Sequence, residues 1–238
     1  MRTKILVFAT LVFALALSAC GPTTINQAAQ PMTRTLAVNG VGQVELTPDV
    51  AYINIGVHTD APTAADAVAT NKAHTSAVIA AIQKAGVENK DIRTTNFSIY
   101  PSQQYGPDNK VTATTYMVDN TVYVTVHNLD NLGKLLDDTI SAGANNINSI
   151  QFDLADKTKA LKDARAKAVE NAKTQAKEMT DAAGISLGAI QNLSFYENTP
   201  PVPMMAGKGG GGAVDAAVPI QPGQLTISVT ANIVYEIK

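Results

Sequence analysis

The side chains that could hold a metal ion or move a proton are few and far apart in this sequence. Only three histidines occur, namely His58, His74 and His127. Metal sites place such side chains at close spacing or beside acidic clusters, and none of the three has that setting. His58 and His127 could approach each other across strands, but two separate surface histidines are the simpler interpretation. We therefore predict no metal site and no cofactor.

Covalent catalysis by a serine or cysteine also lacks its usual sequence context. Gly184-Ile185-Ser186-Leu187-Gly188 has the Gly-x-Ser-x-Gly spacing, but it lies between a predicted helix and a strand, whereas a nucleophile elbow needs the order strand, turn, helix. The chain has a single cysteine, Cys20. The sequence leaves a serine–lysine pair open but places none. Lys208 lies in a glycine run, yet a phosphate-binding loop needs Ser or Thr after the lysine, so a flexible linker is the better interpretation. We predict that the chain is not an enzyme.

Two groups of apolar or aromatic side chains lie in segments that we expect to be exposed. One is in a Pro/Gly-rich segment near the C-terminus, and the other is near the tip of a predicted hairpin. Apolar groups in such segments often become ordered against a partner. We expect contacts between copies of the chain here, with plain exposed loops as the alternative. The residues are Val202, Met204 and Met205 in the first group and Tyr100, Tyr105 and Tyr116 in the second.

The N-terminus has the three parts of a secretion signal. Arg2 and Lys4 precede an uninterrupted run of apolar and small residues from Ile5 to Ala19, which leads to Cys20. The run is short for a permanent membrane-spanning helix, which needs about 20 apolar residues. We predict that residues 1–19 are removed, and since two positive charges leave with them, the formal net charge falls from −2 to −4. This weakly acidic balance argues against nucleic acid as a partner.

The segment Leu17-Ser18-Ala19-Cys20 resembles the lipobox of bacterial lipoproteins. The resemblance implies that the Cys20 thiol is diacylated, that cleavage occurs just before it and that its new amino group can be acylated. An ordinary signal peptide with a cysteine at its boundary is the alternative. Because Cys20 is the only cysteine, no disulfide forms within the chain. Residues 20–33 contain two prolines and no periodicity, and are predicted to be a tether between lipid and domain.

Hydrophobic periodicity divides the rest of the chain into strands and helices. Helical spacing predicts helices over 62–85, from Asn128 to Gly143, and over 156–183. Gly86 lies where a left-handed cap would end the first helix, and Gly184 ends the last. The last helix has a mostly alanine stripe that includes Met179, so its partner surface must approach closely. The first two strands are predicted to form a hairpin through Thr47-Pro48-Asp49. Residues 197–223 are predicted to be a flexible Pro/Gly-rich loop. Alternation predicts strands over 36–46, 53–57, 92–100, 118–126, 150–154, 187–195 and 225–237.

Helices that alternate with hairpins indicate an α+β fold. We expect a mainly antiparallel sheet with the helices packed on one face, rather than a doubly wound parallel sheet. The predicted domains are a signal peptide over 1–19, a lipidated tether over 20–33 and one α+β domain over 34–238.

Several soft motifs in a fixed order resemble the SIMPL-domain family, which includes YggE-type and periplasmic immunogenic proteins. The chain opens with Val38-Asn39-Gly40-Val41-Gly42 and then Thr47-Pro48-Asp49-Val50-Ala51. Residues 95–101 are similar to the strand that follows the first helix in that family, and Ala142-Gly143-Ala144 is similar to its central segment. An alanine-rich helix, a Pro/Gly-rich loop and a last alternating strand complete the order. The resemblance covers roughly residues 34–238.

The resemblance implies a cell-envelope protein, a tendency in some members to form ring- or channel-like oligomers, and a link to oxidative stress or signalling. It supplies no catalytic residue. We therefore expect a non-enzymatic envelope lipoprotein that associates with itself and is held to a membrane by Cys20, on the periplasmic side or the outer surface. The alternative is a binding module that captures a small molecule or peptide beside the alanine-lined helix.

Overall fold

The computed structural model describes residues 33–204 and 220–238, with side chains up to residue 197 in the first range. Thr35–Lys238 form one compact unit with its own cores, as expected of an independently folding domain. In chain order the elements are β1 (Thr35–Leu46), β2 (Val50–Ala61), α1 (Ala64–Lys84), β3 (Ile92–Tyr105), β4 (Val111–Val126), α2 (Leu132–Ser141), β5 (Asn146–Asp153), α3 (Thr158–Ala183), β6 (Leu187–Met204) and β7 (Gln224–Ile237).

The strands form two antiparallel sheets, each with helices on one face. Sheet I has the order β1-β7-β6, and α3 packs on it. Sheet II has the order β3-β4-β2-β5 and carries α1 and α2. The α+β prediction is therefore confirmed, with two sheets in place of one.

The predicted hairpin between the first two strands is wrong. β1 pairs with β7 along its whole length, whereas β2 pairs with β4 and β5, so the turn at Thr47-Pro48-Asp49 crosses from one sheet to the other. Alternation within a strand shows which face is buried but does not identify the neighbouring strand. The hairpin of β3 and β4 is confirmed.

Hydrogen bonds fix the chain where it crosses between the sheets. The backbone N–H of Asp49 donates to the carbonyl of Asp153 over 3.1 Å, and the Asp49 carboxylate accepts from the N–H of Ala155 over 2.7 Å. The Asp153 carboxylate in turn accepts from Lys157 Nζ over 2.7 Å. The turn before β2 is thus held against the segment that leads from β5 into α3.

Local sequence signals explain where α1 begins and ends. Thr63 caps the helix, because its hydroxyl oxygen accepts from the N–H of Asp66 over 3.2 Å. Asp66 also places a negative charge in the first turn, where the helix dipole favours it. Gly86 follows the helix with φ +96°, a conformation that side chains disfavour, so the predicted left-handed stop is confirmed.

Helix α3 lies very close to β1, as the alanine stripe predicts. Its buried positions are Ala160, Ala164, Ala168, Ala172, Ala176 and Thr180. They face Gly40 and Gly42, where a Cβ atom would approach α3 so closely that the helix would have to move. Met179, which the pattern placed in the stripe, is instead half exposed because the buried face passes through Thr180.

Each sheet buries a separate set of apolar side chains. In sheet II, Ile53, Ile55, Val122 and Val124 pack beneath α1 and α2, and each fully buried side chain of this size contributes about 1.5–3 kcal/mol. In sheet I, alternate residues of β7 from Leu225 to Tyr235 face α3. Across the described ranges, no helix combines the length and the apolar character that spanning a membrane requires.

Strand β6 is longer than the sequence pattern indicates. It continues to Met204 and so includes residues 197–204, which the sequence assigned to the loop. Pairing with β7 resumes there, since Val202 faces Thr226 and Met204 faces Gln224. The rest of the predicted loop before residue 220 lies outside the described residues.

Candidate functional site

His58, Asp119 and Tyr100 form a hydrogen-bonded cluster on the open face of sheet II, opposite the helices. The register of β2 and β4 pairs His58 directly with Asp119. His58 Nδ1 lies 2.7 Å from Asp119 Oδ1, and the Tyr100 hydroxyl on β3 donates to Asp119 Oδ2 over 3.1 Å. We call these three residues the His58 cluster.

Two further features define the chemistry of the His58 cluster. Asn145 holds the backbone of His58 in place, because its Oδ1 accepts from the His58 N–H and its Nδ2 donates to the His58 carbonyl, both over 2.7 Å. The hydrogen bond to the Asp119 carboxylate raises the pKa of the Tyr100 phenol. Tyr100 therefore stays protonated near neutral pH and acts as a hydrogen-bond donor rather than as a base.

The His58 cluster has part of the geometry of a catalytic triad. A carboxylate orients the imidazole, as it would for a general base. Nucleophilic catalysis also needs a hydroxyl or thiol in hydrogen-bond contact with the ring, and no such contact to His58 exists among the residues that the structure describes. The arrangement can therefore bind a polar group, but it does not assemble an acyl-transfer centre.

An aromatic pair lies further along the same face. The rings of Tyr52 and Tyr123 stack at 5.7 Å and 16°, and the guanidinium of Arg93 lies 5.3 Å from the centre of the Tyr123 ring. Burial raises the pKa of both phenols, and neighbouring acidic groups add to the shift for Tyr52. The face thus combines aromatic and polar side chains.

Strand β6 is an uncovered edge of sheet I. It pairs with β7 on one side, and no described strand pairs with its other side. Its residues opposite buried positions of β7 stay exposed because α3 packs mainly on β1 and β7, and it reaches β6 through side chains such as Arg165, which pairs with Glu197. We call Ile190, Leu193 and Phe195, which are 47%, 44% and 42% exposed, the β6 apolar face.

The opposite edge of sheet I, by contrast, is covered by polar side chains of α3. Asn171 Oδ1 accepts from the N–H of Val41 over 3.0 Å, and Lys167 Nζ donates to the carbonyl of Gln43 over 3.0 Å. These bonds satisfy backbone groups of β1 that another strand would need for pairing. Among the residues that the structure describes, β6 is therefore the edge of this sheet that is open to a further strand.

The histidines are placed apart, as the sequence suggested. His58 lies seven residues along β2 from Ala51, the partner of Val126, which corresponds to about 24 Å at ~3.4 Å per residue. His127 follows Val126 and is therefore further still from His58. His127 Nε2 instead approaches Asp91 Oδ2 at 3.6 Å. His74 packs against Gly143, at the end of α2. Within the described ranges, no three His, Cys, Asp or Glu side chains could together hold a metal ion.

The residues predicted to form contacts between copies fall in different places. Tyr100 belongs to the His58 cluster, Tyr105 is exposed and donates to Gln103 Oε1 over 2.8 Å, and Tyr116 is half-buried opposite Pro101. Val202 and Met204 lie on β6, where only the backbone is described. Met205 and Cys20 lie outside the described residues.

Sequence reasoning missed Asp119, Asn145 and the β6 apolar face. Asp119 interrupts an alternating strand on its polar side, which signals only an exposed position. Asn145 lies two residues after Gly143, just beyond α2, and resembles an ordinary turn residue. Leu193 and Phe195 do alternate, but alternation within a strand does not show whether another element covers that face.

Comparison with known proteins identifies the family. Residues 36–235 match the SIMPL family, described as "Protein of unknown function (DUF541)". The chain is 35% identical over 213 residues to the 26 kDa periplasmic immunogenic proteins of Brucella melitensis and Brucella abortus, covering 85% of this chain and 84% of each relative. It is 30% identical over 171 residues to uncharacterized protein YggE of Escherichia coli (strain K12), covering 71% and 69%. The names of the Brucella relatives support an extracytoplasmic location. The chain belongs to the SIMPL family, as its motifs predict.

Proposed function

We propose that this chain is a non-enzymatic protein of the cell envelope whose domain associates with itself through the edge of β6. The single observation that carries the proposal is the β6 apolar face on a strand whose outer edge pairs with no strand that the structure describes. A long strand edge with exposed apolar side chains is a template for pairing with another chain. We propose a second copy of the chain as the partner, because in a two-fold symmetric dimer the same edge of both subunits forms the contact.

The composition of β6 supports this role. Strands that must remain unpaired usually carry lysine, proline or inward-facing charges at the edge. Residues 187–196 contain none of these, and the first charge is Glu197. Prolines appear only in the distal part, at Pro200, Pro201 and Pro203. Pairing between copies is therefore proposed for residues 187–197, before the prolines.

The apolar contribution of this contact can be estimated. Full burial of a leucine or phenylalanine contributes about 1.5–3 kcal/mol, and Leu193 and Phe195 are already about half-buried, so about 1 kcal/mol remains for each. In a two-fold symmetric pair both residues count twice, which gives about 4 kcal/mol. That corresponds to roughly a thousandfold in the dissociation constant.

The membrane anchor is part of the same proposal. Acylated Cys20 would hold the protein at a membrane, with residues 20–33 as the tether, and two or three acyl chains make such an anchor stable. A cysteine engaged in this way is withdrawn from thiol redox chemistry. Any link of this protein to oxidative stress is therefore proposed to be indirect.

Light scattering after size exclusion tests self-association, with the domain from Thr33 to Lys238. The wild type is expected to be a defined multimer, and the double variant Leu193→Lys/Phe195→Lys a monomer, because two ammonium groups per copy cannot be buried in the contact. Ile140→Lys is the matched control, since Ile140 is an equally exposed aliphatic residue on α2. A monomeric wild type, or a double variant of unchanged mass, would refute the proposal.

A further inference from the structure

A groove lies between the C-terminal part of α3 and the start of β6. Its volume is about 690 Å³, which is within the range of about 300–1,000 Å³ typical of small-molecule sites. Ile185, Leu187 and Ile190 form an apolar wall, and all three are exposed. The groove exists because α3 covers β1 and β7 but leaves the beginning of β6 open.

The start of β6 cannot move away to close or widen this groove freely. A Cβ atom at Gly188 would lie 2.8 Å from the carbonyl oxygen of Glu236, so the backbone is in direct contact with β7 there. Ser186 and Lys238 also exchange both backbone hydrogen bonds, at 3.1 Å and 2.9 Å. The apolar wall is therefore a fixed surface of the domain.

Tyr235 borders the groove and brings an unsatisfied polar atom to it. The residue is only 4% exposed, and its hydroxyl has no hydrogen-bond partner among the described residues. The neighbouring Thr180 hydroxyl is different, because it donates to the carbonyls of Ala176 and Lys177 over 3.0 Å. A buried group without a partner is costly and calls for a specific explanation. The hydroxyl oxygen is covered in this structure, so a ligand that accepts a hydrogen bond would supply the missing partner by displacing a side chain at the rim of the groove.

The charges at the rim indicate what the ligand carries. Lys177 Nζ is paired with Asp181 at 2.6 Å, whereas Lys173 makes no ion pair with any residue that the structure describes. The rim therefore has one excess positive charge. The C-terminal end of a helix disfavours further negative charge. A single negative charge fits this rim better than a doubly charged phosphate.

We propose that the groove binds a monocarboxylate with an unbranched apolar chain, namely a free fatty acid. The carboxylate accepts hydrogen bonds from the Tyr235 hydroxyl and the Lys173 ammonium group, and the chain packs on Ile185, Leu187 and Ile190. This inference goes beyond self-association. The two surfaces share Leu187 and Ile190, but Leu193 and Phe195, whose burial was estimated for the contact between copies, lie outside the groove lining.

Displacement of a fluorescent fatty acid, 11-(dansylamino)undecanoic acid, by dodecanoate tests the proposal on the domain from Thr33 to Lys238. We expect saturable binding of one probe per chain. Dodecanoate is expected to displace it far better than dodecyltrimethylammonium, which has the same chain and the opposite charge, and better than dodecyl phosphate. Equal displacement by the cation would overturn the proposal, since the groove would then adsorb any apolar chain.

Substitutions in the groove give the second arm. Tyr235→Phe and Lys173→Gln are each expected to weaken dodecanoate binding about tenfold or more, as loss of a hydrogen bond to a charged group predicts. Lys159→Gln is the control, because Lys159 lies at the other end of α3 and pairs with Asp163. Wild-type affinity in both groove variants would refute the site. Lys173 is exposed, so its variant keeps the test valid even if Tyr235→Phe unfolds.

Binding must also be separated from self-association. The Leu193→Lys/Phe195→Lys variant is expected to bind dodecanoate as the wild type does, since both substitutions lie outside the groove lining. Loss of dodecanoate binding in that variant would show that the site is not contained in one chain and would overturn the proposal. Fatty-acid binding by a monomeric domain would refute self-association alone and leave the groove intact.

Discussion

Replacing Gly40 by alanine tests the close packing of α3 on β1. The new Cβ atom would lie 2.6 Å from the Cβ of Ala172 and still nearer to backbone atoms of α3. Carbon atoms in contact need about 3.5 Å, so relief of the contact with the Ala172 Cβ alone would require the helix to retreat by about 0.9 Å. Backbone atoms cannot rotate out of the way as a side chain can. The whole helix must therefore shift.

The cost can be estimated from the contacts that such a shift would open. Overpacking a well-packed core usually costs about 1–3 kcal/mol. The upper end applies here, because a displaced α3 loosens the packing of its buried alanines on Val38 and Ile233. We expect the free energy of unfolding to fall by about 3 kcal/mol. For a domain of this size that lowers the melting temperature by about 6–12 °C.

Urea unfolding followed by circular dichroism measures this effect. Asn39→Ala is the control on the same strand, since Asn39 is exposed and its variant should stay within about 0.5 kcal/mol of the wild type. Gly42→Ala should resemble Gly40→Ala, and the double variant should cost less than the sum, because one displacement of α3 relieves both contacts. A Gly40→Ala variant within about 0.5 kcal/mol of the wild type would disprove the argument.

Two further predictions concern a phenol and the N-terminus. The hydrogen bond to the Asp119 carboxylate raises the pKa of Tyr100 above 10.0, its value in an unfolded chain. The protonated phenol therefore stabilises the fold below pH 10. This stabilisation is lost as the pH rises through the raised pKa of Tyr100 in the folded state. Asp119→Ala should shift phenolate formation at Tyr100 to lower pH in an ultraviolet titration. The Tyr100→Phe variant identifies which part of the titration belongs to Tyr100. An unchanged titration in Asp119→Ala would contradict the proposed effect of Asp119 on this pKa. Bacteria fed an alkyne analogue of palmitate should label the wild-type chain but not Cys20→Ala; equal labelling of both would rule out the lipid on Cys20.

The elements of this fold can largely be predicted from the sequence, because each depends on local rules. Alternation located β7, the spacing of alanines located α3, and Gly86 and Gly184 marked helix ends that the structure confirms as left-handed. The mostly alanine stripe also showed that α3 approaches its partner closely. These features depend on residues that are near one another in the chain.

The candidate site could not be predicted in this way. His58 and Asp119 are 61 positions apart, and only the pairing of β2 with β4 brings them together. The groove requires Tyr235 on β7, Lys173 on α3 and Ile190 on β6 to meet. Neither arrangement leaves a local pattern, since each depends on which strands pair.

By itself, the sequence determined the secondary structure, the buried face of most elements and the family. Tertiary structure alone decided that β1 and β2 belong to different sheets, that α3 leaves β6 uncovered, and that β6 is the open edge. The physical reason is that burial acts on single residues and sets their periodicity, whereas strand pairing is a choice among distant segments with similar patterns. That choice exposes the β6 apolar face and the groove, on which the proposed functions rest.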